Sequence, residues 1–253
     1  MPEIKALLFD VFGTVVDWRT SVREFLIAHV PASHATTTAA GVDWDKFADE
    51  WRNGYYEFTF AGSTLAQGEE AQFVTVDQQY RMSLGGLATK YGLNDMWSQA
   101  DLDKIADAWH YLKGKRWKRV RMIQSSWDDT VEGLSLLKSK YIICTLSNGN
   151  VKLLVDMAKY ANLPWDMIFG GDVFKVYKPS PLTYLGAAEF LKLKPENICM
   201  VAAHIYDLQA AKALGFNTAY VNRQGEDIGK VVTPSDVDYY ADSFIELFSK
   251  MGN

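Results

Sequence analysis

Polar residues that could act together follow several short apolar runs of this sequence. In chain order they are Asp10 with Thr14, the turn 147–150 (Ser-Asn-Gly-Asn), Lys178, and His204 with Asp207. A nucleophilic carboxylate, a hydroxyl-amide turn, an ammonium group and a second acid could converge on a small anionic substrate. Taken singly, such residues are more often caps, plain turns or surface features. Their placement at successive predicted strand ends favours one shared site.

The elements that would position these residues alternate from residue 141 onward. After a first strand over 4–9, apolar runs and helical spacing predict strands over 141–146, 167–169, 198–201 and 218–221, and helices over 151–160, 182–191 and 208–214. Such alternation predicts parallel strands joined by right-handed crossovers. We therefore predict a doubly wound, mostly parallel, Rossmann-like α/β sheet, in which ligands bind beyond the carboxyl ends of the strands.

Helical spacing replaces the strand-like runs between residues 18 and 125. Apolar positions recur at intervals of three and four in the stretches 42–51, 76–91 and 102–112. We predict a helical-bundle cap domain over residues 18–125, inserted into an α/β core domain of residues 1–17 and 126–253. A cap placed after the first strand would lie over the strand ends.

Composition excludes several classes of protein. Apolar residues make up 48% and charged residues 23% of the 253 residues, which is typical of globular chains and not of disordered or fibrous ones. No run of about 18 apolar residues predicts a membrane span, and a net charge of -5 gives no basic field for nucleic acid. The start of the chain does not resemble a secretory leader, so we expect a cytoplasmic location. Cys144 and Cys199 lie in apolar runs, as buried small hydrophobes do.

Four motifs of the chain resemble, in order, those of the haloacid dehalogenase superfamily. They are FDVFGTVVD at 9–17, LSNGN at 146–150, VYKP at 176–179 and VAAHIYD at 201–207. Within the superfamily the chain most resembles the type II L-2-haloacid dehalogenases, over nearly its whole length, including the helical insertion. The resemblance implies a hydrolase that converts short 2-haloalkanoic acids to 2-hydroxy acids without a cofactor. It also implies a homodimer.

The residues themselves distinguish between branches of this superfamily. Most members are metal-dependent phosphatases, which carry a second Asp as general acid where this chain has Phe12, and more acids in the fourth motif than Asp207 alone. Without these groups, phosphoryl transfer lacks leaving-group protonation and charge neutralisation, whereas a halide leaves as a stable anion. We predict a dehalogenase that binds no metal. A Mg²⁺-dependent phosphatase and a non-catalytic protein that retains the fold remain as alternatives.

The hypothesised reaction assigns roles to the catalytic candidates. Asp10 attacks the carbon that bears the halogen, and water then hydrolyses the resulting aspartyl ester. Lys178 keeps Asp10 ionised through its opposite charge, and Phe12 with the cap excludes solvent. Arg52, whose surroundings resemble the cap segment that supplies the family's arginine, receives the halide as a weakly hydrated cation. Asp207 orients Lys178 or the hydrolytic water.

The remaining candidates are substrate-binding residues. Thr14, Ser147 and the N–H groups around Asn148 are predicted to bind the substrate carboxylate or the ester oxygen. Tyr184 matches a family tyrosine whose hydroxyl points into the site, with ordinary helix packing as the alternative. Tyr206 is a predicted pocket wall.

The fourth motif departs from the family pattern. Many L-2-haloacid dehalogenases have Ser-Ser-Asn where this chain has Ala202, Ala203 and His204. The hydroxyl and amide that would position water are therefore absent. We predict that His204 accepts a proton from that water, since imidazole titrates near neutrality. The alternative is a hydrogen-bonded histidine that only closes a strand end.

Overall fold

One parallel sheet organises the computed structural model, which describes residues 3–36, 38–63, 73–112 and 127–252. Its strand order is β3-β2-β1-β4-β5-β6, and every pairing is parallel. The strands are β1 (Ala6–Phe9), β2 (Ile142–Leu146), β3 (Met167–Phe169), β4 (Ile198–Ala202), β5 (Asn217–Val221) and β6 (Tyr239–Ala241). The predicted doubly wound α/β fold is confirmed. Among the strands of the described residues, β6, which has three residues, was not predicted from the sequence.

Helices cover both faces of this sheet and fill the insertion after β1. In the described ranges they are α1 (Trp18–Ala28), α2 (Trp44–Ser63), α3 (Val76–Lys90), α4 (Gln99–Ala106), α5 (Thr130–Lys138), α6 (Val151–Ala161), α7 (Gly171–Phe174), α8 (Pro181–Leu191), α9 (Ile205–Ala213) and α10 (Phe244–Met251). Short 3₁₀ turns occupy Thr38–Gly41, Asp107–Tyr111 and Pro195–Asn197. No helix in the described ranges is long and apolar enough to cross a membrane.

The helix predicted over 102–112 is shorter than expected. It ends at Ala106, and the tighter turn Asp107–Tyr111 follows. This turn places His110 between two carboxylates, 2.9 Å from Asp77 Oδ1 and 2.7 Å from Asp156 Oδ2. The turn thereby links His110 to α3 through Asp77 and to α6 through Asp156.

The inserted helices α1 to α4 share one apolar core with a face of the sheet. Trp109 is the centre of this contact, with its ring 6.1 Å from that of Phe12, 6.0 Å from Trp18 and 5.3 Å from Trp51. Burial of such large rings is a main source of stability. The division into two domains stays a prediction, and its boundary at 125 and 126 lies outside the described residues.

The order of the strands decides where a site can form. From β1 the chain builds β2 and β3 on one side of the sheet, then crosses to build β4, β5 and β6 on the other side. In open α/β sheets ligands bind at such a switch point, beyond the carboxyl ends of the strands. Asp10 follows β1 and His204 follows β4, so these two residues flank the switch point.

Candidate active site

A lysine bridges two buried carboxylates at the carboxyl edge of the sheet. The Nζ atom of Lys178 donates to Asp10 Oδ1 at 3.0 Å and also to Asp207 Oδ2. The hydroxyl of Tyr184 donates to the other oxygen of Asp207 at 2.6 Å. All four side chains are buried, and buried charges persist only when they are paired and hydrogen-bonded. The structure thus brings these four predicted residues together.

The turn after β2 fixes the backbone of Lys178. The side chain of Asn148 accepts from the N–H of Lys178 at 2.7 Å and donates to its carbonyl at 3.3 Å. The hydroxyl of Ser147 accepts from the N–H of Gly149 at 3.1 Å and closes the turn. The Asn148 amide therefore binds the chain that carries Lys178, and contact of this turn with a substrate stays a prediction.

Thr14 ties the loop after β1 to the end of β4. Its hydroxyl donates to Asp10 Oδ2 at 2.9 Å and accepts from the N–H of Ala203 at 2.8 Å. Both hydrogen-bonding functions of this hydroxyl are used within the protein. Thr14 therefore holds one oxygen of Asp10 in place while Lys178 holds the other.

His204 lies directly against the Asp10 carboxylate. Its Nδ1 is 3.0 Å from Asp10 Oδ2, and its Nε2 is 2.8 Å from Glu226 Oε2. The hydroxyl of Tyr56 lies 3.5 Å from the same Nε2. The alternative of a histidine that only closes a strand end does not by itself account for its contact with the buried carboxylate of Asp10. The ring is in position to exchange protons with groups bound at Asp10.

Opposite charges keep the central pair ionised. Burial acts to raise the pKa of Asp10, but the charges of Lys178 and His204 outweigh it and hold this pKa well below its ordinary value. Burial acts to lower the pKa of Lys178, but the charges of Asp10 and Asp207 raise it above its ordinary value. Asp10 is therefore a fixed, partly desolvated carboxylate at neutral pH, which is the form required of a nucleophile.

Arg52 is a buried cation that faces the same region from α2. Its guanidinium lies over the rings of Phe12 at 4.9 Å and Tyr55 at 4.4 Å, and donates to the hydroxyls of Tyr56 at 3.2 Å and Tyr80 at 3.3 Å. Among the described residues no carboxylate lies at ion-pair distance from it, although the charge of Glu226 acts on it through space, and its buried Nε has no hydrogen-bond acceptor. A buried guanidinium with no anion in direct contact can receive one.

A cavity of about 460 Å³ lies beside these residues. The residues that line it include Arg52, Tyr56, His204, Glu226 and Tyr206, and the ring of Tyr206 lies 5.9 Å from that of His204. This volume is within the range of small-molecule sites. The predicted pocket residue Tyr206 does line the cavity, and Phe12 lies behind Arg52.

Glu226 is the residue of this site that sequence reasoning missed. It follows β5, where the chain has no motif of the kind that marked the other loops. The rule that ligands bind beyond strand ends applies to β5 as well, so the loop 222–227 was the available signal. Tyr56 and Trp18 also contact the groups of this site, through His204 and Glu226 respectively.

Comparison with known proteins is consistent with this geometry. The family described as haloacid dehalogenase-like hydrolase matches residues 4–215. The solved structure of a defluorinating L-2-haloacid dehalogenase is 36% identical, with a TM-score of 0.80, and the alignment covers 99% of this chain and 96% of that one.

Two curated relatives represent two activities. (S)-2-haloacid dehalogenase 1 of Pseudomonas sp. strain CBS-3 is 27% identical over 227 residues, 88% of this chain and 86% of its own length. A phosphoglycolate phosphatase of Neisseria meningitidis serogroup A is 34% identical, but over only 125 residues, 46% of this chain and 53% of its own length. The likeness to dehalogenases thus extends along most of the chain, and the likeness to this phosphatase along less than half of it.

Proposed function

The chain belongs to the haloacid dehalogenase-like hydrolases, and we propose that it hydrolyses the carbon–halogen bond of short 2-haloalkanoic acids to give 2-hydroxy acids. The relatives that align with most of its length are named 2-haloacid dehalogenases. The arrangement around Asp10 supports the same chemistry.

The first step of the proposed reaction is an in-line displacement by Asp10. One carboxylate oxygen attacks C2 of the substrate, the carbon–halogen bond breaks, and the halide leaves with its electron pair. Lys178 keeps the attacking group ionised, and the buried setting removes the water that would weaken it as a nucleophile. The product of this step is an ester between Asp10 and the substrate.

The second step is hydrolysis of that ester. Water attacks the carbonyl carbon of the Asp10 side chain, and the 2-hydroxy acid leaves as Asp10 is regenerated. His204 lies within hydrogen-bonding distance of this carboxyl group and is the proposed acceptor of the water proton. Lys178 and Thr14 already donate to the carboxyl oxygens, so they are in position to stabilise the charge that develops on the carbonyl oxygen.

The observation that carries the proposal is the buried guanidinium of Arg52, which has no carboxylate in direct contact among the described residues. Arginine is charged at every relevant pH and is weakly hydrated. Its aromatic surroundings include Phe12, which stands where a phosphatase would carry a general acid. A departing halide needs a cation and no proton, so this combination suits halide loss and not the release of an alkoxide.

The residues around Asp10 do not fit a magnesium ion, which prefers carboxylate and water oxygens. Both oxygens of Asp10 already accept hydrogen bonds from protein groups, and Asp207 binds Lys178 and Tyr184. Across the ranges that the structure describes, no group of three or more His, Cys, Asp and Glu side chains is arranged to hold a metal. We propose accordingly that neither step of the reaction uses a metal ion.

Halide release from a substrate panel tests the proposal. We expect the purified protein to release halide from chloroacetate and bromoacetate, and from fluoroacetate more slowly because the carbon–fluorine bond is stronger. Addition of EDTA should leave these rates unchanged, since no step uses a divalent cation. Hydrolysis of a generic phosphate ester that depends on added Mg²⁺, together with no halide release, would instead identify the phosphatase alternative.

A further inference from the structure

The imidazole of His204 lies between two carboxylates. Nδ1 is 3.0 Å from Asp10 Oδ2 and Nε2 is 2.8 Å from Glu226 Oε2. Ionised carboxylates only accept hydrogen bonds, so both ring nitrogens donate and the ring is an imidazolium. Burial acts to lower the pKa of His204, but the oxygens of Tyr56, Asp10 and Glu226 around the ring raise it well above its ordinary value. The geometry and the surrounding charges thus both favour the imidazolium form of His204 in the resting protein.

Glu226 is held in place independently of His204. The indole Nε1 of Trp18 donates to its second oxygen, Oε1, at 2.8 Å. The carboxylate also occupies the space beside Gly13, where a Cβ atom would lie 2.4 Å from Glu226 Cδ. Gly13 has a φ of +85°, which favours glycine as well. The absence of a side chain at position 13 therefore lets Glu226 reach the histidine.

The loop that carries Glu226 is hydrogen-bonded to the loop after β4 and to the loop after β1. The next residue, Asp227, accepts from the N–H of Ile205 at 2.7 Å, at the start of α9. Arg223 donates from Nε to the carbonyl of Thr14 at 3.0 Å. These two hydrogen bonds, one on each side of Glu226 in the chain, fix its loop relative to the loops that carry Asp10 and His204.

A charged His204 cannot do what ester hydrolysis requires. An imidazolium has no free nitrogen lone pair, so it cannot take a proton from water. The nitrogen that faces the reacting carboxyl is Nδ1, and the proton on Nδ1 is held there by the negative charge of Asp10. Once Asp10 becomes an ester that charge is gone, while Glu226 still binds Nε2.

Building on the proposed function, we propose that Glu226 is the positioning residue for His204, and that esterification of Asp10 itself converts His204 from an imidazolium into the base of ester hydrolysis. The ring keeps its proton on Nε2, bonded to Glu226, and presents an unprotonated Nδ1 to the water that attacks the ester.

The protons balance over the cycle. When the halide leaves and the ester forms, the proton on Nδ1 of His204 passes to solvent. This is the one proton that the overall reaction releases together with the halide. Neutral His204 then takes a proton from the attacking water, and the hydroxyl oxygen bonds to the carbonyl carbon of Asp10. Collapse breaks the ester bond, and the departing alkoxide takes one of the two protons that the water supplied. The other stays on Nδ1, opposite the regenerated carboxylate.

The charged and titratable groups around the ring come from several elements. By element they are Asp10 after β1, Arg52 and Tyr56 on α2, Lys178 before α8, Tyr206 and Asp207 on α9, and Glu226 with Asp227 after β5. In the part of the chain that the structure describes, Asp10 and Glu226 are the carboxylates within hydrogen-bonding distance of the ring. Asp10 is the one that the proposed reaction neutralises.

Glu226→Gln separates the two steps in a single turnover. With chloroacetate we expect the burst of halide release to stay within about threefold of the wild-type rate, and ester breakdown to slow by about 10- to 100-fold, in the range of general-base effects. Intact-protein mass spectrometry should then show the aspartyl adduct accumulating in the variant. Glu189→Gln, on an exposed glutamate of α8, is the matched control and should behave as wild type.

A second measurement reads the ring directly and does not depend on turnover. ¹⁵N NMR of histidine-labelled protein, assigned with His204→Asn, should show both nitrogens of His204 protonated at neutral pH. Asp10→Asn, which imitates the uncharged ester, should shift the titration of the ring to lower pH and leave the proton on Nε2. Glu226→Gln should shift it to lower pH as well.

The outcomes separate the two proposals. Suppose that the wild type gives a halide burst, but that Glu226→Gln slows both steps equally or accumulates no aspartyl adduct. That result would overturn the role of Glu226 and leave the dehalogenase proposal intact. Unchanged titration of His204 in Asp10→Asn would overturn the switch. The absence of any halide burst from the wild type would refute the proposed function, and the inference with it.

Discussion

Asp10→Asn is expected to lower kcat for chloroacetate by about 10⁴-fold or more, because an uncharged amide cannot replace the carboxylate that forms the ester. Asparagine has nearly the same shape as aspartate and keeps an oxygen that can accept from Lys178 or Thr14. We therefore expect an unchanged circular dichroism spectrum. Halide release over hours, with the enzyme in excess, measures the remaining activity.

The matched control for this variant is Asp95→Asn, which removes a carboxylate exposed on the surface. It should retain wild-type kcat and KM. If Asp10→Asn retained more than about 1% of the wild-type rate, the loss would be far too small for a missing nucleophile, and attack on the substrate would have to come from another group.

Lys178→Met is expected to have the largest effect on stability, as well as abolishing most activity. Lys178 is the cation between Asp10 and Asp207, and both carboxylates are buried. Methionine fills a similar volume but leaves the two negative charges facing each other. We expect a loss of about 3–5 kcal/mol in the free energy of unfolding at pH 7, as when one partner of a buried ion pair is removed.

The pH dependence of that loss identifies its cause. Burial already raises the pKa of Asp207 against the attraction of Lys178, and removing the lysine raises this pKa further. A carboxyl group whose folded pKa lies above its unfolded value stabilises the fold at low pH, and this stability is lost as pH rises through the folded pKa. The deficit of Lys178→Met should therefore be smaller at pH 5 than at pH 7.

Urea denaturation of wild type and variant at the two pH values measures this difference. Lys159→Met, on an exposed lysine of α6, is the control and should change stability by less than about 0.5 kcal/mol at either pH. A deficit of the same size at pH 5 and pH 7 would mean that lost packing, and not two unpaired carboxylates, destabilises the variant.

The regular part of the fold could be read from the sequence because strand and helix patterns differ in period. Between β2 and β5, most of the predicted strand and helix ends lie within one or two residues of the observed ends. The strand β6 has only three residues, which are too few to show the alternation of apolar and polar residues that predicts a strand. α10 was missed although Ser243 and Glu246 form a helix-start pair, in which the N–H of Glu246 donates to the Ser243 hydroxyl at 3.0 Å.

The site was predictable to the extent that its residues follow strands. Asp10 directly follows β1 and His204 is the second residue after β4, so the parallel sheet must place them at one edge. The role of Asn148 was not visible, because its partner is the backbone of a residue 30 positions away. Glu226 was not visible either, since its importance comes from contacts with Trp18 and His204 and not from a local pattern. The homodimer and the cytoplasmic location stay predictions.

A single turnover in ¹⁸O-labelled water tests the ester intermediate most directly. With enzyme in excess over chloroacetate, attack of water on the Asp10 carbonyl should place one ¹⁸O atom in the peptide that contains Asp10 and leave the glycolate hydroxyl oxygen unlabelled. Mass spectrometry of the digested protein and of the product reads both positions. Label in glycolate alone, with Asp10 unlabelled, would mean that water attacks the substrate carbon directly and that no aspartyl ester forms.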